Sequence, residues 1–565
     1  MRMLGLLFFI LLFVTVRLWG QPADLVFKNG KAATIDPALP QAEAVAISGN
    51  KIVFVGSNTE AEKWVGPKTE VVDLQGRLLL PGFNDAHCHL VSGGFSLLRV
   101  NLAGVQTLNE IKDKVREAVK RAPKGAWVQG RGWDHTLFND DEWPTKEMLD
   151  VVAPNTPVYL RRIDGHVSWV NSAALKLAKI TKYTPDTSGG EIVRDKFGNP
   201  TGIFKENATD LVARSIPEPS YEELKQAVER GLEEARRLGV TSLQEASTAA
   251  AIPVYNDLFK EGKLTARISA WLPLDTVKYI SSYSEVRRSF PSDSSMLKLG
   301  ILKGFADGTM GSRTAHLFEP YSDDSTTVGI PQYTQEELNR LVLVADSLGF
   351  QIGIHAIGDR ANYTVLQAYG EAYSLNNGGH EEIEFEEFHR ERRHRIEHAQ
   401  LIRLEDLHFF PETGTIASMQ PTHCTSDMRW AEARVGKQRC WGAYAWRSFL
   451  DYSIPLAFGT DWPVEPLNPM GGLYAAITRQ DLETGEPEGG WYSDHRLSMM
   501  EAVRAYTLGS AYAQFREAEL GSITVGKLAD LVVVEKDILT ISSREVLTTW
   551  VVMTVMNGKI IYRKK

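Results

Sequence analysis

Residues 221–243 have the sequence YEELKQAVERGLEEARRLGVTSL, which contains one helix followed directly by one strand. The apolar residues up to Leu238 recur at helical spacing, Gly239 stops the helix, and Val240 begins a β-rich stretch. The same order returns at residues 336–354, where Gly349 separates a second amphipathic helix from a second strand. Repeated units of this kind predict an α/β fold with a parallel sheet, closed or open, and the chain length suits a (β/α)8 TIM-like barrel with insertions.

The two ends of the chain differ from this middle part. Residues 24–72 contain short β-rich runs separated by Gly and Asn-Gly turns, and residues 529–562 repeat the order strand, Asn-Gly turn, strand. The ends therefore predict one small β domain, which is completed where the two termini meet.

The composition indicates a folded protein that does not act on nucleic acid. With 565 residues, of which 43% are hydrophobic and 24% charged, the chain has enough apolar surface for a large core. The net charge of −9 argues against a nucleic-acid partner, because binding phosphates requires a basic surface. We interpret the acidity as a solubility feature.

The first twenty residues have the pattern of a secretory signal peptide. Arg2 precedes a nearly unbroken apolar run at residues 4–16, which is long enough for a signal-peptide core and too short to span a bilayer. We expect residues 1–20 to be removed after Gly20 and the mature protein to be exported, periplasmic or extracellular, without stable membrane insertion. An uncleaved anchor is the alternative.

Three cysteines are too few for a disulfide framework in an exported chain. Cys424 and Cys440 could pair, and the sequence leaves this open. Cys88 lies between two histidines on a predicted strand, so we expect its side chain to face away from them, into the core.

The motif that carries chemistry most clearly is Pro81-Gly-Phe-Asn-Asp-Ala-His87-Cys-His89. Because side chains two residues apart on a strand project to the same side, both imidazoles face one way. At the carboxyl end of a barrel strand that side is the mouth of the barrel, where catalytic groups gather. Neutral imidazoles are ligands for Zn²⁺ and similar metals. An isolated His-x-His is also typical of two core or surface histidines, so the pair indicates a metal site only together with the preceding Pro-Gly, the barrel-like chain and the later strand ends.

Three further residues each close a short β-like run. These are His355 in QIGIHAIGDR, His398 in HRIEHAQ and Asp461 in AFGTDWP. Taken alone, either histidine is more typical of a hydrogen-bonded structural residue. Taken together with the His87/His89 pair, they predict a metal centre at the barrel mouth.

Lys303 is the remaining ligand candidate, since it lies within an apolar strand where a charged amine is costly. Carboxylation by CO₂ would convert it into an anionic ligand able to bridge two metals. The alternative is a lysine paired with Asp307 or another acid.

The ordered set of these residues resembles the amidohydrolase superfamily. The sequence segments around these residues are similar to those of amidohydrolase family 3, the group of N-substituted formamide deformylase-like metal-dependent hydrolases. The matching segments cover nearly all of the mature chain and include RGWD at 131–134, DGHVSWVN at 164–171, TGIFKE at 201–206, KGFADGTMGSRTA at 303–315, HAIGDRA at 355–361, RIEHAQ at 395–400, SMQPTH at 418–423 and FGTDWPV at 458–464.

The resemblance implies a domain organisation. A β-sandwich would be formed by residues 21–80 and 520–565, and a hydrolase barrel by residues 81–519, with an insertion at about 101–219. The pair Gln244-Glu245 departs from the pattern, because relatives often carry His-Asp at this place. The role of that strand end is therefore open.

The resemblance also implies a ligand set for one or two divalent ions, with Zn²⁺ expected. His87, His89 and Asp461 would hold one metal, His355 and His398 the second, and a carboxylated Lys303 would bridge them. Asp461 would move the proton of the attacking water to the leaving amine.

Several other residues are candidates for contact with a small-molecule substrate. His423 would stabilise the oxyanion or be a structural histidine. The remaining candidates are Arg313 and Asp359, as substrate-binding residues or loop anchors, and Asp164 and His166, which would cover the pocket from the insertion.

The predicted function is hydrolysis of a non-peptide C–N bond, in an amide or an N-formyl or N-acyl amine, by metal-activated water. A deaminase or cyclic-amide hydrolase would use the same scaffold, and a catalytically silent exported metal- or ligand-binding protein is the alternative from another class. Neither a Gly-x-Ser-x-Gly elbow nor a phosphate-binding P-loop occurs in the sequence. The sequence leaves open whether the protein forms a homo-oligomer.

Overall fold

The structure, a computed structural model, describes residues 22–564 except 124, 139–142, 163–166, 188–189, 247–248, 292–294 and 377–391. The predicted signal peptide at residues 1–20 lies outside the described residues. Among the helices of the described part, none combines the length and the apolar character that crossing a membrane requires.

The strands fall into four groups along the chain. The amino-terminal part contains β1 (Leu25–Lys28), β2 (Lys31–Ala33), β3 (Gln41–Ala42), β4 (Ala44–Ser48), β5 (Lys51–Gly56), β6 (Glu70–Asp73) and β7 (Leu78–Pro81), and β8 (Phe83–Cys88) follows at once. The next group is β9 (Val100–Asn101), β10 (Val128–Trp133), β11 (Val158–Arg162), β12 (Val167–Val170), β13 (Gly190–Arg194) and β14 (Pro200–Glu206). The third is β15 (Val240–Glu245), β16 (Arg267–Pro273), β17 (Leu297–Phe305), β18 (Ile352–Ala356), β19 (Arg395–His398), β20 (Ile416–Met419) and β21 (Leu456–Phe458). The chain ends with β22 (Leu531–Val534), β23 (Val551–Met556) and β24 (Lys559–Arg563).

Helices connect most of these strands. The α-helices are Asn58–Ala61, Leu90–Leu98, Leu108–Arg121, Lys146–Asp150, Ser172–Leu177, Thr209–Ala213, Tyr221–Arg237, Ile252–Lys260, Val277–Ser289, Gln335–Ser347, Asp359–Asn376, Phe409–Thr413, Pro421–Cys440, Trp446–Asp451, Pro469–Thr478, Met499–Arg504, Ser510–Tyr512 and Ser543–Thr548. Short 3₁₀ turns lie at Glu62–Trp64, His135–Leu137, Ala249–Ala251, Leu404–Asp406 and Ser493–His495, and a π-helical turn at Ala505–Gly509.

The helix-to-strand units predicted from the sequence are present. Ser220 and Glu223 form a capping box that starts helix Tyr221–Arg237, and Gly239, at φ +77°, turns the chain into β15. The second unit is helix Gln335–Ser347 followed by β18. In both units a glycine takes the left-handed backbone that a side-chain-bearing residue would adopt only with strain.

Eight parallel strands form the central sheet in the order β21-β20-β19-β18-β17-β16-β15-β8. The sheet is nearly closed, since β8 and β21 approach each other and Asp461 N, just beyond β21, donates to His87 O at 2.7 Å. The predicted (β/α)8 barrel is confirmed. Because parallel barrel strands end at one face, their last residues meet at the same mouth.

The small domain is a sandwich of two sheets. One sheet has the order β5-β4-β1-β6, and the other, β24-β23-β22-β7-β2-β3, combines strands from both chain ends. Strand β7 pairs antiparallel with β22, with Leu79 opposite Val533, and both side chains belong to a shared core with Phe27 and Val555. The predicted β-sandwich built from both ends is confirmed.

The segment of the chain between β8 and β15, the second barrel strand, forms a further sheet. Its sheet has the order β13-β14-β12-β11-β10-β9 and buries its own apolar cluster around Trp133 and Trp169. It occupies the part of the chain where an insertion was predicted. The domain boundaries drawn from the sequence stay a prediction.

All three cysteines are buried and unpaired. The Cys424–Cys440 pairing that the sequence left open is not formed. Cys88 Sγ lies 3.7 Å from the carbonyl oxygen of Gln244, on the side of β8 away from the two imidazoles, as the strand alternation predicts.

Candidate metal centre

The candidate ligands come from five different strand ends of the barrel. His87 lies in β8 and His89 directly after it. Lys303 lies in β17, His355 in β18, His398 in β19, and Asp461 just after β21. All are buried except His89, whose side chain is 31% exposed. Residues separated by several hundred positions in the chain thus share the mouth of the barrel.

Short distances connect these side chains. His89 Nε2 lies 3.0 Å and His87 Nε2 3.6 Å from Asp461 Oδ1. The ring centroids of His87 and His398 are 5.0 Å apart, and those of His355 and His398 are 4.6 Å apart. One ligand atom each from His87, His398 and Asp461 lies within 4.8 Å of the others, so these three can reach one cation.

Burial sets the protonation states that metal binding requires. It lowers the pKa of His87, lowers that of His398 well below its usual value, and with the nearby charge of Lys303 lowers that of His355 to about 3. These imidazoles are therefore neutral at physiological pH. Burial alone would raise the pKa of Asp461, but the hydrogen bond from His89 holds it well below its usual range.

The second nitrogen of each buried histidine is occupied elsewhere. His87 Nδ1 lies 2.7 Å from Glu397 Oε2, His398 Nδ1 lies 2.7 Å from Gln420 Oε1, and His355 Nε2 lies 3.0 Å from Gly308 O. Because an oxygen acceptor requires N–H, the lone pair is left on the opposite nitrogen. Lone-pair nitrogens beside an ionised carboxylate are a donor set that fits a divalent cation.

Backbone strain is concentrated at two of the candidate ligands. His398 has φ +74° and Asp461 has φ +57°, in the left-handed region that favours glycine. Such strain persists where the surrounding structure compensates for it, and it is enriched at functional sites. Both residues stand at the end of a strand, and their ligand atoms lie within 4.8 Å of one another and of one from His87.

Lys303 is buried and close to the centre. Its Nζ lies 3.4 Å from Gly304 O and 4.2 Å from the centroid of the Phe305 ring. Burial lowers the pKa of Lys303 to about 8, although the charges of Glu397 and Asp461 oppose the shift. The alternative pairing with Asp307 is not formed, because that carboxylate accepts the backbone N–H groups of His316, Ile357 and Gly358.

A model of the amidohydrolase family matches residues 70–562. The chain belongs to the amidohydrolase family. It is 33% identical over 555 residues to Protein LONG AFTER FAR-RED 3 of Arabidopsis thaliana, covering 96% of this chain and 92% of that protein. It is 28% identical over 558 residues to the N-substituted formamide deformylase of Arthrobacter pascens, covering 96% and 99%. The solved structure of an uncharacterized metal-dependent hydrolase from Pyrococcus furiosus matches with a TM-score of 0.75 and 29% identity, over 91% of this chain and 100% of that one.

The sequence did not point to Glu397 or Arg395, two residues of this amidohydrolase that support the candidate ligand His87. Glu397 is fully buried and binds His87 Nδ1, while Arg395 Nε lies 2.8 Å from Glu397 Oε1 and Ser418 Oγ donates to Glu397 Oε2 at 2.7 Å. Although burial alone would raise it, the charge of Arg395 and the hydrogen bond of His87 lower the pKa of Glu397 to about 2. The ionised carboxylate therefore orients the His87 ring.

Glu397 stands next to the candidate ligand His398 in the sequence, but the alternation rule for strands predicts that it faces the other way. In a regular strand, neighbouring side chains point to opposite faces, so His398 inside the barrel would place Glu397 outside. The left-handed backbone of His398 breaks this rule and lets both neighbours face the interior.

Glu245, at the strand end that departs from the family pattern, also has a structural partner. Its carboxylate accepts the backbone N–H of Leu90, the first residue of the helix after His89, and the hydroxyl of Tyr255 at 3.1 Å. In this amidohydrolase the acid therefore holds the turn that carries His89.

His423 lies in the first turn of helix Pro421–Cys440, after the seventh barrel strand. Its Nε2 is 3.7 Å from Asp461 Oδ2, and its ring stacks 5.8 Å from that of His398. Nε2 is buried and has no hydrogen-bond partner among the described residues. A group bound at the centre would supply the missing partner.

Of the four residues predicted to bind substrate, the structure describes two, Arg313 and Asp359. Arg313 makes a two-point contact with Asp323, at 3.0 and 2.9 Å, and Asp359 accepts the backbone N–H of Phe318 at 3.0 Å. These contacts are those of loop anchors, and a role in substrate binding stays a prediction. Asp164 and His166 lie outside the described residues.

Proposed function

We propose that the protein is a metal-dependent hydrolase of a non-peptide C–N bond, in an amide or an N-formyl or N-acyl amine of a small molecule. The observation that carries this proposal is the convergence of neutral imidazoles and one ionised carboxylate, Asp461, on a single point at the barrel mouth. The name of the relative from Arthrobacter pascens, a formamide deformylase, supports the choice of bond.

The ligands of the proposed centre are His87, His89, Lys303, His355, His398 and Asp461, for one or two divalent ions. Nitrogen and carboxylate donors of this kind favour Zn²⁺. A divalent ion held by these residues would lower the pKa of a water molecule towards about 7 and would polarise the scissile carbonyl.

The side chains of the chain itself supply proton transfer and charge stabilisation. Asp461, held ionised, accepts a proton from the attacking water as the new C–O bond forms, and returns it to the leaving nitrogen as the C–N bond breaks. His423, whose Nε2 faces Asp461 and lacks a partner among the described residues, donates to the carbonyl oxygen as it becomes negative.

Lys303 is proposed to act as a carboxylated lysine. Its lowered pKa keeps a fraction of the amine neutral, and the neutral amine forms an N–C bond to CO₂ with loss of one proton. The product is an anionic oxygen ligand in place of a buried cation, which suits its position near His355 and His398. Non-denaturing mass spectrometry in ¹³C-bicarbonate would show the added label, and Lys303→Ala would lack it.

We further propose that the protein is exported, on the pattern of residues 1–20 alone. Fractionation of expressing cells and amino-terminal sequencing of the recovered protein test this. A protein that starts at Gln21 outside the cytoplasm supports export, and a cytoplasmic protein that keeps Met1 contradicts it.

Metal content and turnover together test the proposed hydrolase. Wild type, purified without chelator, should contain about one or two Zn-like ions per chain, and His87→Ala should lose metal. The matched control is His408→Ala, a change at an exposed histidine outside the barrel mouth. Asp461→Asn should abolish release of free amine from a panel of N-formyl and N-acyl amines. Wild type that neither contains nor takes up metal would refute the mechanism.

A further inference from the structure

A cavity lies beside the loop that follows β17, and none of its lining residues is a candidate metal ligand. It has a volume of about 350 Å³ and opens between the first turns of helices Gln335–Ser347 and Asp359–Asn376 and the loop that follows β17. This volume is within the usual range of sites for small organic molecules.

The cavity is lined by one cationic side chain, that of the exposed Arg360, in an acidic protein. Arg360 and His316 line it, and its lining contains no Asp or Glu although the chain carries a net charge of −9. Among the described residues, no carboxylate lies within ion-pair distance of the Arg360 guanidinium, which is 5.8 Å from the centroid of the Phe318 ring. Burial and the charge of Arg360 lower the pKa of His316, which an anion bound between them would oppose.

The remaining walls are aromatic. Phe318, Tyr333 and Tyr363 line the cavity, and the rings of Phe318 and Tyr363 meet edge to face with centroids 5.6 Å apart. Aromatic walls favour an aromatic guest, since rings add edge and face contacts to the burial of apolar area. A guanidinium beside them matches a planar carboxylate with two parallel hydrogen bonds.

Hydrogen bonds to two buried carboxylates fix the walls of the cavity. Asp307 accepts the backbone N–H groups of His316 and Gly358, both at 2.8 Å, and Asp359 accepts that of Phe318. These carboxylates join the loop after β17 to the start of helix Asp359–Asn376. The cavity is therefore preformed, which reduces the ordering cost of binding.

We propose that this cavity binds a small aromatic carboxylate, with its ring between Phe318, Tyr333 and Tyr363 and its carboxylate on Arg360. None of the residues that line this site is a candidate metal ligand, and the proposal does not rest on the proposed hydrolysis.

Calorimetric titration of the full chain, stripped of metal with a chelator, tests the proposal with 3-phenylpropionate as the probe. Propionate carries the charge alone and 3-phenylpropan-1-ol carries the ring alone, so both should bind more weakly. Arg360→Gln should weaken binding of 3-phenylpropionate about tenfold, equivalent to about 1.4 kcal/mol, and Arg360→Lys should restore part of it. Arg288→Gln, at an exposed arginine of another helix, should leave the affinity unchanged.

Three outcomes would overturn the proposal: no binding to wild type, equal affinity in Arg360→Gln and wild type, or binding that requires added metal, which would place the carboxylate at the metal centre. Thermal unfolding of each variant shows whether it is folded, and Arg360→Lys carries the test if Arg360→Gln is not. No turnover is measured, so a failure here leaves the hydrolase proposal standing, and the reverse also holds.

Discussion

At the scale of single residues, Glu397 controls how His87 faces the centre. Replacing it with Gln removes the charge that Arg395 and His87 share, while the shape of the side chain is kept. Because carboxylates that orient ligating histidines are typically worth 10–100-fold in metal affinity, we expect Glu397→Gln to weaken metal binding by about that factor. Competition with a chromogenic chelator measures the change.

The matched control for this substitution is Glu222→Gln, at an exposed acid of helix Tyr221–Arg237. Ser418→Ala is a milder second variant, since it removes one hydrogen bond to Glu397 Oε2 and leaves the charge of Arg395 paired. Equal metal affinity in wild type, Glu397→Gln and Ser418→Ala would show that Glu397 has no part in positioning His87.

At the scale of elements, two helices approach so closely that only glycine fits between them. A Cβ on Gly94, in helix Leu90–Leu98, would lie 1.9 Å from the backbone oxygen of Ala227 in helix Tyr221–Arg237. Gly94→Ala should therefore push the helices apart and lower the free energy of unfolding by roughly 1–3 kcal/mol. Urea denaturation measures it. Gly370→Ala is the control, because its Cβ would meet only Thr413 Cγ2 at 3.7 Å; a loss of equal size there would contradict the packing argument.

Asp346 links the end of helix Gln335–Ser347 to the segment before β19. Its Oδ1 lies 3.1 Å from His394 Nε2, and Asn376 Nδ2 donates to its Oδ2 at 2.6 Å. Burial alone would raise the pKa of Asp346, but the hydrogen bond and charge of His394 hold it below its usual value. A depressed carboxyl pKa contributes stability above the pKa of the unfolded chain, about 3.9, and this is lost as pH falls through the folded value.

The expected result is that Asp346→Asn is less stable than wild type near neutral pH and that the difference shrinks below about pH 4. Urea unfolding at a series of pH values measures it. Asp451→Asn, at an exposed carboxylate, should show no such dependence. A difference for Asp346→Asn that stays constant with pH would mean that the carboxylate charge is not the cause.

At the scale of the whole molecule, one buried ion pair joins the β-sandwich to the barrel. Arg267, at the start of β16, donates to Asp530 at 2.6 and 2.8 Å, and its guanidinium is almost completely buried. Asp530→Asn leaves that charge unpaired, so we expect a loss of roughly 3–5 kcal/mol in the free energy of unfolding. Calorimetry or urea denaturation measures it.

The exposed pair of Arg563 and Glu70, 3.0 Å apart within the sandwich, provides the contrast. Glu70→Gln should cost less than about 1 kcal/mol, because exposed ion pairs contribute little. If the two substitutions had equal effects, burial of the Arg267–Asp530 pair would not be what makes it important to the junction.

Predictions from the sequence succeeded where local rules apply and stopped where they do not. The alternation of His87, Cys88 and His89 predicted two imidazoles on one face and a thiol on the other, and the structure has this arrangement. Glu397 was missed, because the left-handed backbone of His398 cancels that same alternation. The sequence left Arg313 open between substrate binding and loop anchoring; the structure adds its contact with Asp323, ten residues along the chain, and a role in substrate binding stays a prediction.

The sequence by itself determined the α/β barrel, the β domain shared by both ends and the residue types at the strand ends. These follow from periodicity, turn residues and short motifs, which depend on near neighbours in the chain. Only the tertiary structure decided which nitrogen of each histidine is free for a metal, since the acceptor on His87, Glu397, comes from a strand 310 residues away. Contacts between distant strands are set by barrel closure, and no local pattern encodes them.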